Sequence, residues 1–180
     1  MPSQVVFLSH LILGYTAWLL GFRAYLWPRL RTMSDVEAHR AIATLHSFRF
    51  FGLVFIVPGV VGPNLPASFA TFAARWDLAT GVLAILSLLT IRIRPVYWAL
   101  VVAFNVVGAV DLVLDYYHAS QAGLPEQAGQ LGAAYAIPVL YVPLLLITHG
   151  AAFYLLVRSQ PKAVPTLAGG AMASDRGGTE

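Results

Sequence analysis

Long apolar stretches with few polar interruptions dominate the chain. A helix needs about 20 apolar residues to cross the hydrocarbon core of a bilayer. Five stretches approach or exceed that length: residues 5–27, 42–61, 76–91, 96–117 and 131–157. Most of them end at proline, glycine or arginine, which are typical of the ends of such spans. The pattern therefore predicts an all-α, polytopic membrane protein built as a bundle of five transmembrane helices.

The composition supports this class. Of the 180 residues, 58% are hydrophobic and only 11% are charged, whereas a soluble domain carries about 25% charged residues. Residues 1–158 are expected to form one transmembrane domain. Residues 159–180 are rich in Pro, Gly, Ala and Ser and contain few large apolar side chains. We therefore predict that they form a disordered cytoplasmic tail.

Basic residues follow every second predicted span. They are Arg29, Arg31, Arg40, Arg92, Arg94, Arg158 and Lys162. The alternate loops carry only Arg75. Cytoplasmic loops of membrane proteins are enriched in Lys and Arg, so we expect the N-terminus outside and the C-terminus in the cytoplasm. The abundance of Arg, Ala, Gly, Leu and Val is typical of a GC-rich bacterial source, which indicates the bacterial inner membrane.

Two aspartates stand four residues apart in the fourth predicted span, in the stretch NVVGAVDLVLDYYH. At ~100° per residue, Asn105, Gly108, Asp111, Asp115 and His118 fall on one face of a helix. Ionisable groups at membrane depth usually face the bundle interior or a water-filled cavity. We therefore expect this face to line a polar interior.

Helix rise sorts the ionisable groups within the spans into two layers, separated by roughly 10–15 Å of apolar interior. The outer polar layer contains His10, Asp111, Asp115 and His118, and the inner polar layer contains His46, Arg49 and His149. Asp77 falls near the end of the third predicted span, where its carboxylate can reach the interface.

The favoured interpretation is a small integral membrane protein with a polar intramembrane site for proton-coupled or small-ligand handling. Carboxylates and imidazoles in the two layers are the stations of a proton relay. The pocket wall between them is assigned to Asn105, Tyr135, Pro138 and Tyr141, because two prolines in the last span favour a kinked helix.

Three alternatives remain open. His46 and His149 lie at matched depth and can be the axial ligands of a haem b, with Arg49 bound to a propionate. Asp111, Asp115 and His118, together with His10, form a candidate ligand set for a divalent metal. The third alternative is a purely structural role within a homo-oligomer or a larger membrane complex, in which the polar contacts fix helix register.

Motifs for catalysis are not found. The sequence contains no GxSxG, no HExxH and no glycine-rich phosphate loop, and it has no cysteine. Its basic residues follow the topology, so the lipid bilayer is the expected partner and nucleic acid is not. The stretch WDLATGVLAILSLLTIRIRP, residues 76–95, resembles the small four-helix bacterial membrane proteins of the DoxX type. No activity or residue role is carried over from that resemblance.

Overall fold

Helices make up the secondary structure of residues 1–158, which the computed structural model describes. The predicted tail, residues 159–180, lies outside the described residues. In chain order the elements are α1 (Ser3–Gly21), a π-helical turn (Phe22–Leu26), α2 (Trp27–Thr32), α3 (Asp35–His46), a 3-10 helix (Ser47–Ile56), α4 (Ala67–Leu89), α5 (Arg94–Gln121), a second 3-10 helix (Ala128–Tyr135), a second π-helical turn (Ile137–Tyr141) and α6 (Val142–Arg158).

Four helical stretches of the described chain are long and apolar enough to cross a membrane: Ser3–Thr32, Ala67–Leu89, Arg94–Gln121 and Ile137–Arg158. This finding supports the expected all-helical, multi-pass membrane architecture. The predicted span at residues 42–61 is not one of these four. Its place is taken by α3 and the first 3-10 helix, in which Asp35, Glu37, Arg40 and Arg49 interrupt the apolar pattern.

Contacts at the two ends of α5 define the path of the chain. Near the start of α5, the Tyr97 hydroxyl donates a hydrogen bond to the carbonyl of Val36 at 3.2 Å. Beyond the end of α5, the N–H of Gly62 donates to the carbonyl of Gln130 at 2.7 Å. Residues 36 and 62 therefore lie at opposite ends of the bundle, and the segment between them runs along its length.

Helix boundaries differ from the prediction at Pro28. The first helix was expected to end there, but Pro28 lies in the first turn of α2, after a π-helical turn. Proline is tolerated in a first helical turn because its missing N–H has no partner there anyway. The helix consequently continues to Thr32.

Two further boundaries also move. α4 begins at Ala67 instead of residue 76, because neither proline nor glycine occurs between Pro66 and Gly81. The last membrane-length helix begins at Ile137 instead of residue 131, because Gly132 breaks the preceding segment with φ 52° and ψ −129°. A Cβ at Gly132 would overlap the carbonyl of Val60, which adds a second reason for glycine there.

Buried polar groups lie between two apolar clusters. One cluster includes Phe7, Phe55, Phe69, Leu112 and Leu145, and the other includes Phe22, Ile42, Tyr97, Phe104 and Leu155. Along α5, buried Asn105 and Asp111 lie between Phe104, which belongs to the second cluster, and Leu112, which belongs to the first. The outer surface of the bundle is apolar, and on α1 only Phe7 and Gly14 are buried. A polar layer thus crosses the middle of an otherwise apolar bundle.

Candidate functional site

A buried arginine connects three helical segments within the polar layer. Arg49, in the first 3-10 helix, has 0% of its surface exposed. Its Nε donates to Oδ1 of Asp77 at 2.6 Å, and its Nη2 donates to Oδ2 of Asp111. Its Nη1 donates to the backbone carbonyl of Gly108 at 3.1 Å. Every guanidinium nitrogen therefore has an acceptor on α4 or α5, as a buried charge requires.

Glycines let these segments approach so closely. A Cβ at Gly108 would lie 2.6 Å from Nη1 of Arg49 and 2.7 Å from Nε2 of His149. A Cβ at Gly52, one 3-10 turn after Arg49, would overlap the side chain of Asp77. A larger residue at either position would have to displace the polar groups themselves.

His46 and His149 lie side by side next to the ion pairs. Their ring centroids are 4.0 Å apart. Nε2 of His46 shares a hydrogen bond with the Thr148 hydroxyl at 3.0 Å, and Nδ1 of His149 shares one with Oδ1 of Asn105 at 2.9 Å. The amide of Asn105 is oriented by a second bond, from Nδ2 to the carbonyl of Val101 at 2.8 Å. Because Oδ1 can only accept, Nδ1 of His149 is assigned as the protonated nitrogen.

This pair of imidazoles does not have the arrangement of haem ligands. Axial ligands bind opposite sides of one iron atom, so a porphyrin must fit between the two rings. Here the rings are in contact, and Arg49 is already bound to two carboxylates. The geometry gives no support to the haem hypothesis.

The polar groups form one layer, not the expected two. Arg49 was placed in the inner layer and Asp111 in the outer layer, yet they share an ion pair. The helical segment that carries Arg49 begins at Asp35, which puts Arg49 about 21 Å from its start by helix rise. The expected span began seven residues later, so Arg49 was assigned too shallow a depth. The expected apolar zone between the layers is therefore absent at this point.

A cavity of about 260 Å³ lies beside the ion pairs, between α1, α4 and α5. Its wall is mainly apolar and includes Phe7, Leu8, Leu11, Phe55, Phe69 and Leu112. Two carboxylates, those of Asp77 and Asp115, also line it. Oδ1 of Asp115 is buried and has no hydrogen-bond partner among the described residues. The cavity thus combines an apolar wall with a carboxyl group whose buried oxygen has no hydrogen-bond partner among the described residues.

The outer-layer histidines do not join the aspartates. Nδ1 of His10 shares a hydrogen bond with the Tyr135 hydroxyl at 2.9 Å. His118 packs against Phe72, with ring centroids 4.5 Å apart. Within residues 1–158, no group of three or more His, Asp or Glu side chains is placed to hold a metal ion. The metal-ligand set expected on α5 is therefore not assembled.

The residues assigned to the pocket wall are divided between different places. Pro138 lines the cavity, whereas Tyr135 contacts His10. The Tyr141 hydroxyl donates to the carbonyl of Leu45 at 3.3 Å, and its ring lines a separate open groove. Asn105 belongs to the polar layer, through its bond to His149 described above.

Asp77 is a central residue of the polar layer, although it was predicted to lie near the end of its helix. It is 5% exposed and lies ten residues inside α4, not at its end. A signal was present in the sequence, because Asp77, Thr80, Gly81, Ala84 and Ser87 recur at helical spacing on one buried face. Recognising that face depended on starting the helix at residue 67.

His39 was also misplaced, because its segment was expected to be a loop. It is buried in α3, where Nδ1 hydrogen-bonds with the carbonyl of Asp35 at 2.8 Å and the ring packs against Trp98. It lies near the end of the bundle that contains Val36, away from Arg49, and it is not part of the site.

Comparison with known proteins gives a family but no activity. The family model of a domain of unknown function, DUF8737, matches residues 6–157. No curated protein matches the chain, and no solved structure matches it. The matched region contains every residue of the polar layer and of the cavity wall. Because the match covers most of the sequence, this chain belongs to the DUF8737 family.

Proposed function

We propose that this protein binds a small ligand at an intramembrane site whose ionisable groups also relay protons. The observation that carries the proposal is that one buried cation, Arg49, lies among three carboxylates. Arg49 pairs with Asp77 and Asp111, and Asp115 follows Asp111 by one helical turn. Two of these carboxylates, Asp77 and Asp115, line the cavity.

Charge balance supports a role for protons at this site. A single guanidinium neutralises a single carboxylate, so a fully ionised centre would contain an excess of buried negative charge. Burying an unpaired charge is strongly unfavourable. The centre is therefore expected to hold protons or a cation in addition to Arg49, and to exchange one for the other when a ligand enters the cavity.

The imidazoles extend the polar layer toward the start of α5, at Asn105, whereas the cavity is lined by later residues of α5, from Leu112 onward. Nη1 of Arg49 and Nε2 of His149 approach the same point above Gly108, at 2.6 and 2.7 Å. The His46 ring contacts the His149 ring at an interplanar angle of 40°, and Nδ1 of His46 has no hydrogen-bond partner among the described residues. A neutral imidazole has one protonated and one unprotonated ring nitrogen, so it can accept a proton on one side and release one on the other. This arrangement therefore favours a relay that begins at the cavity and ends at the histidines.

We also propose that residues 35–56 form a fifth crossing. α3 and the first 3-10 helix contain 12 and 10 residues. Rises of ~1.5 and ~2.0 Å per residue give about 38 Å, more than the ~30 Å hydrocarbon core. The path from Val36 to Gly62 supports this topology. Five crossings, with the basic loops at the Val36 end, favour an external N-terminus and a cytoplasmic C-terminus in a bacterial inner membrane.

A purely structural role explains less of the site. Satisfied ion pairs such as those of Arg49 can fix helix register without further function. That role leaves Asp115 unexplained, since a buried carboxyl oxygen without a partner is destabilising. It also leaves unexplained why a cavity lies against this carboxyl group. Ligand handling accounts for both features.

Proton flux into liposomes tests the proposal. The full-length protein is reconstituted into liposomes that enclose a pH-sensitive dye, and valinomycin with potassium clamps the membrane potential. After a step in external pH, we expect faster internal acidification than in protein-free liposomes. Asp115→Asn should abolish the excess flux, whereas Glu126→Gln, an exposed carboxylate outside the cavity wall, should leave it unchanged. Wild-type liposomes that acidify no faster than empty ones would refute the proposal.

A further inference from the structure

We infer that the ligand of the cavity is a small organic cation with an apolar body, such as an alkyl or aryl ammonium compound. This inference rests on the proposed function and names the ligand class of that site. It follows from three features of the cavity: its size, its aromatic wall and the position of its carboxylates.

The size of the cavity sets the size of the ligand. An apolar cavity of about 150 Å³ is enough to bind benzene. The cavity here measures about 260 Å³, which adds room for an ammonium head group beside an aromatic ring or a short alkyl chain. Leu8 and Ser120, which line the cavity, are both exposed on the outside of the bundle. The ligand can therefore enter between α1 and the last turns of α5.

The wall favours a cation with an apolar body. Phe7, Phe55, Phe69 and Tyr116 contribute aromatic rings to it. Aromatic faces attract ammonium groups within about 6 Å, and the attraction is greatest where water is excluded. The same rings, together with the aliphatic side chains, remove apolar ligand surface from water.

The carboxylates decide the sign of the ligand charge. Asp77 is paired with Arg49 through Oδ1, and Asp115 makes no hydrogen bond or ion pair with any described residue. An anionic ligand would face both carboxylates, and a neutral apolar ligand would make no favourable electrostatic contact with Asp115. An ammonium group beside Asp115 supplies the missing positive charge.

Protons and the ligand then compete for the same carboxylate. The charged groups around Asp115 are Asp111 on its own helix, Asp77 on α4 and Arg49 on the 3-10 helix, and α1 contributes the Tyr15 hydroxyl through its 3.0 Å hydrogen bond to Tyr116. The two aspartates disfavour a further negative charge and only Arg49 favours it. Binding of a cation should therefore weaken as the pH falls, because each bound cation displaces a proton.

Calorimetric titration with a matched pair of probes tests this inference. The full-length protein is placed in phosphatidylcholine nanodiscs and titrated with benzyltrimethylammonium or with neopentylbenzene, which has the same shape and no charge. Empty nanodiscs provide the correction for partitioning. We expect the cation to bind at least tenfold more tightly than the neutral probe, and more weakly at pH 5 than at pH 8.

Three variants distinguish a site effect from a folding defect. Asp115→Asn should weaken binding of the cation at least tenfold and remove the preference over neopentylbenzene, while Glu126→Gln should bind as the wild type does. Ala119→Phe, which fills the cavity without changing any charge, should block both probes. Equal binding of the two probes, or tight cation binding by Asp115→Asn, would overturn the inference. If wild-type liposomes still conduct protons in that case, the proposed proton relay stands and only the ligand class is wrong.

Discussion

Arg49 and Asp111 are 62 positions apart in the sequence and share a hydrogen bond inside the bundle. Arg49 reaches Asp77, 28 positions away, in the same manner. One side chain thereby joins the first 3-10 helix to α4 and to α5. The proposed relay and the proposed ligand site both depend on this junction, because it binds Asp77 at the cavity wall and places Arg49 close to His149.

Replacing Arg49 tests how much of the stability depends on this junction. Arg49→Met leaves two buried carboxylates without a counter-charge, and breaking a buried pair in this way costs about 3–5 kcal/mol. Equilibrium unfolding in mixed detergent and SDS, followed by tryptophan fluorescence, measures the loss. Adding Asp77→Asn and Asp111→Asn to Arg49→Met should recover most of it. A single variant as stable as the wild type would show that the ion pairs do not hold the helices together.

Adding one methyl group at Gly108 should disturb the polar layer. The new Cβ of Gly108→Ala would meet Arg49 and His149 as described, and overpacking of this kind costs about 1–3 kcal/mol. Gly150→Ala is the matched control, because nothing lies within 4 Å of its Cβ position. The same unfolding assay should show a loss for Gly108→Ala and none for Gly150→Ala. Equal stabilities would contradict the close approach of α5 to Arg49.

A visible absorption spectrum tests whether His46 and His149 bind a haem. Protein produced with added haem precursor should show no Soret band after purification, because the contact between His46 and His149 leaves no space for a porphyrin. His46→Ala should then have the same spectrum as the wild type. A Soret band in the wild type that disappears in this variant would mean that the two rings separate to bind haem.

Single-cysteine labelling tests the fifth crossing. The chain has no native cysteine, so Thr32→Cys and Asn64→Cys each introduce the sole thiol. Both positions are exposed and flank the segment from residue 35 to 56. A membrane-impermeant maleimide added to intact cells should modify the Asn64 variant and not the Thr32 variant, which should react only after lysis. Labelling of both from the same side would exclude the crossing.

Glu37 provides a pH-dependent contribution in the first turn of α3, where it is exposed at the end of the proposed crossing. The Ser34 hydroxyl and the Ser34 N–H both donate to Oε2 of Glu37, at 2.7 and 3.0 Å. These bonds, the hydroxyl first, lower the pKa of the Glu37 carboxyl. A lowered folded-state pKa means that the stabilisation is present above the unfolded pKa of about 4.3 and is lost as the pH falls through the folded value.

The Glu37 effect is measured as a difference in melting temperature. Glu37→Gln should melt below the wild type at pH 7, and the two curves should converge in acid as the wild-type carboxyl becomes protonated. Glu126→Gln serves as the control for a general loss of negative charge. A difference that stays constant from pH 7 to pH 3 would show that the carboxylate form of Glu37 is not what stabilises the start of α3.

The membrane architecture was predictable because long apolar runs are a local property of the sequence. The shared face of Asn105, Gly108 and Asp111 on α5 was also predictable, since helical periodicity alone determines it. Residues 35–56 were harder to interpret, because the capping box at Ser34 and Glu37 lies among charges typical of a loop. Starting that helix seven residues too late displaced Arg49 and concealed its partners.

The partners of Arg49 depend on tertiary packing that periodicity does not encode. Asp77 and Asp111 lie on different helices, and their approach requires the absence of a side chain at Gly52 and Gly108. Similarly, the contact between His46 and His149 is set by how α3 packs on α6. Sequence patterns identify which residues are polar and which face they occupy, but not which faces of different helices meet.

The winding of residues 47–56 links two features of the molecule mechanically. With three residues per turn, Arg49, Gly52 and Phe55 form a single buried row. In an α-helix, Phe55 would be rotated about 120° away from Arg49. Arg49 is bound to Asp77, and Phe55 forms part of the cavity wall. Rewinding this stretch into an α-helix would therefore change the positions of Arg49 and Phe55 relative to each other. A ligand that displaced Phe55 from the cavity wall by rewinding this stretch would therefore also move Arg49 relative to Asp77.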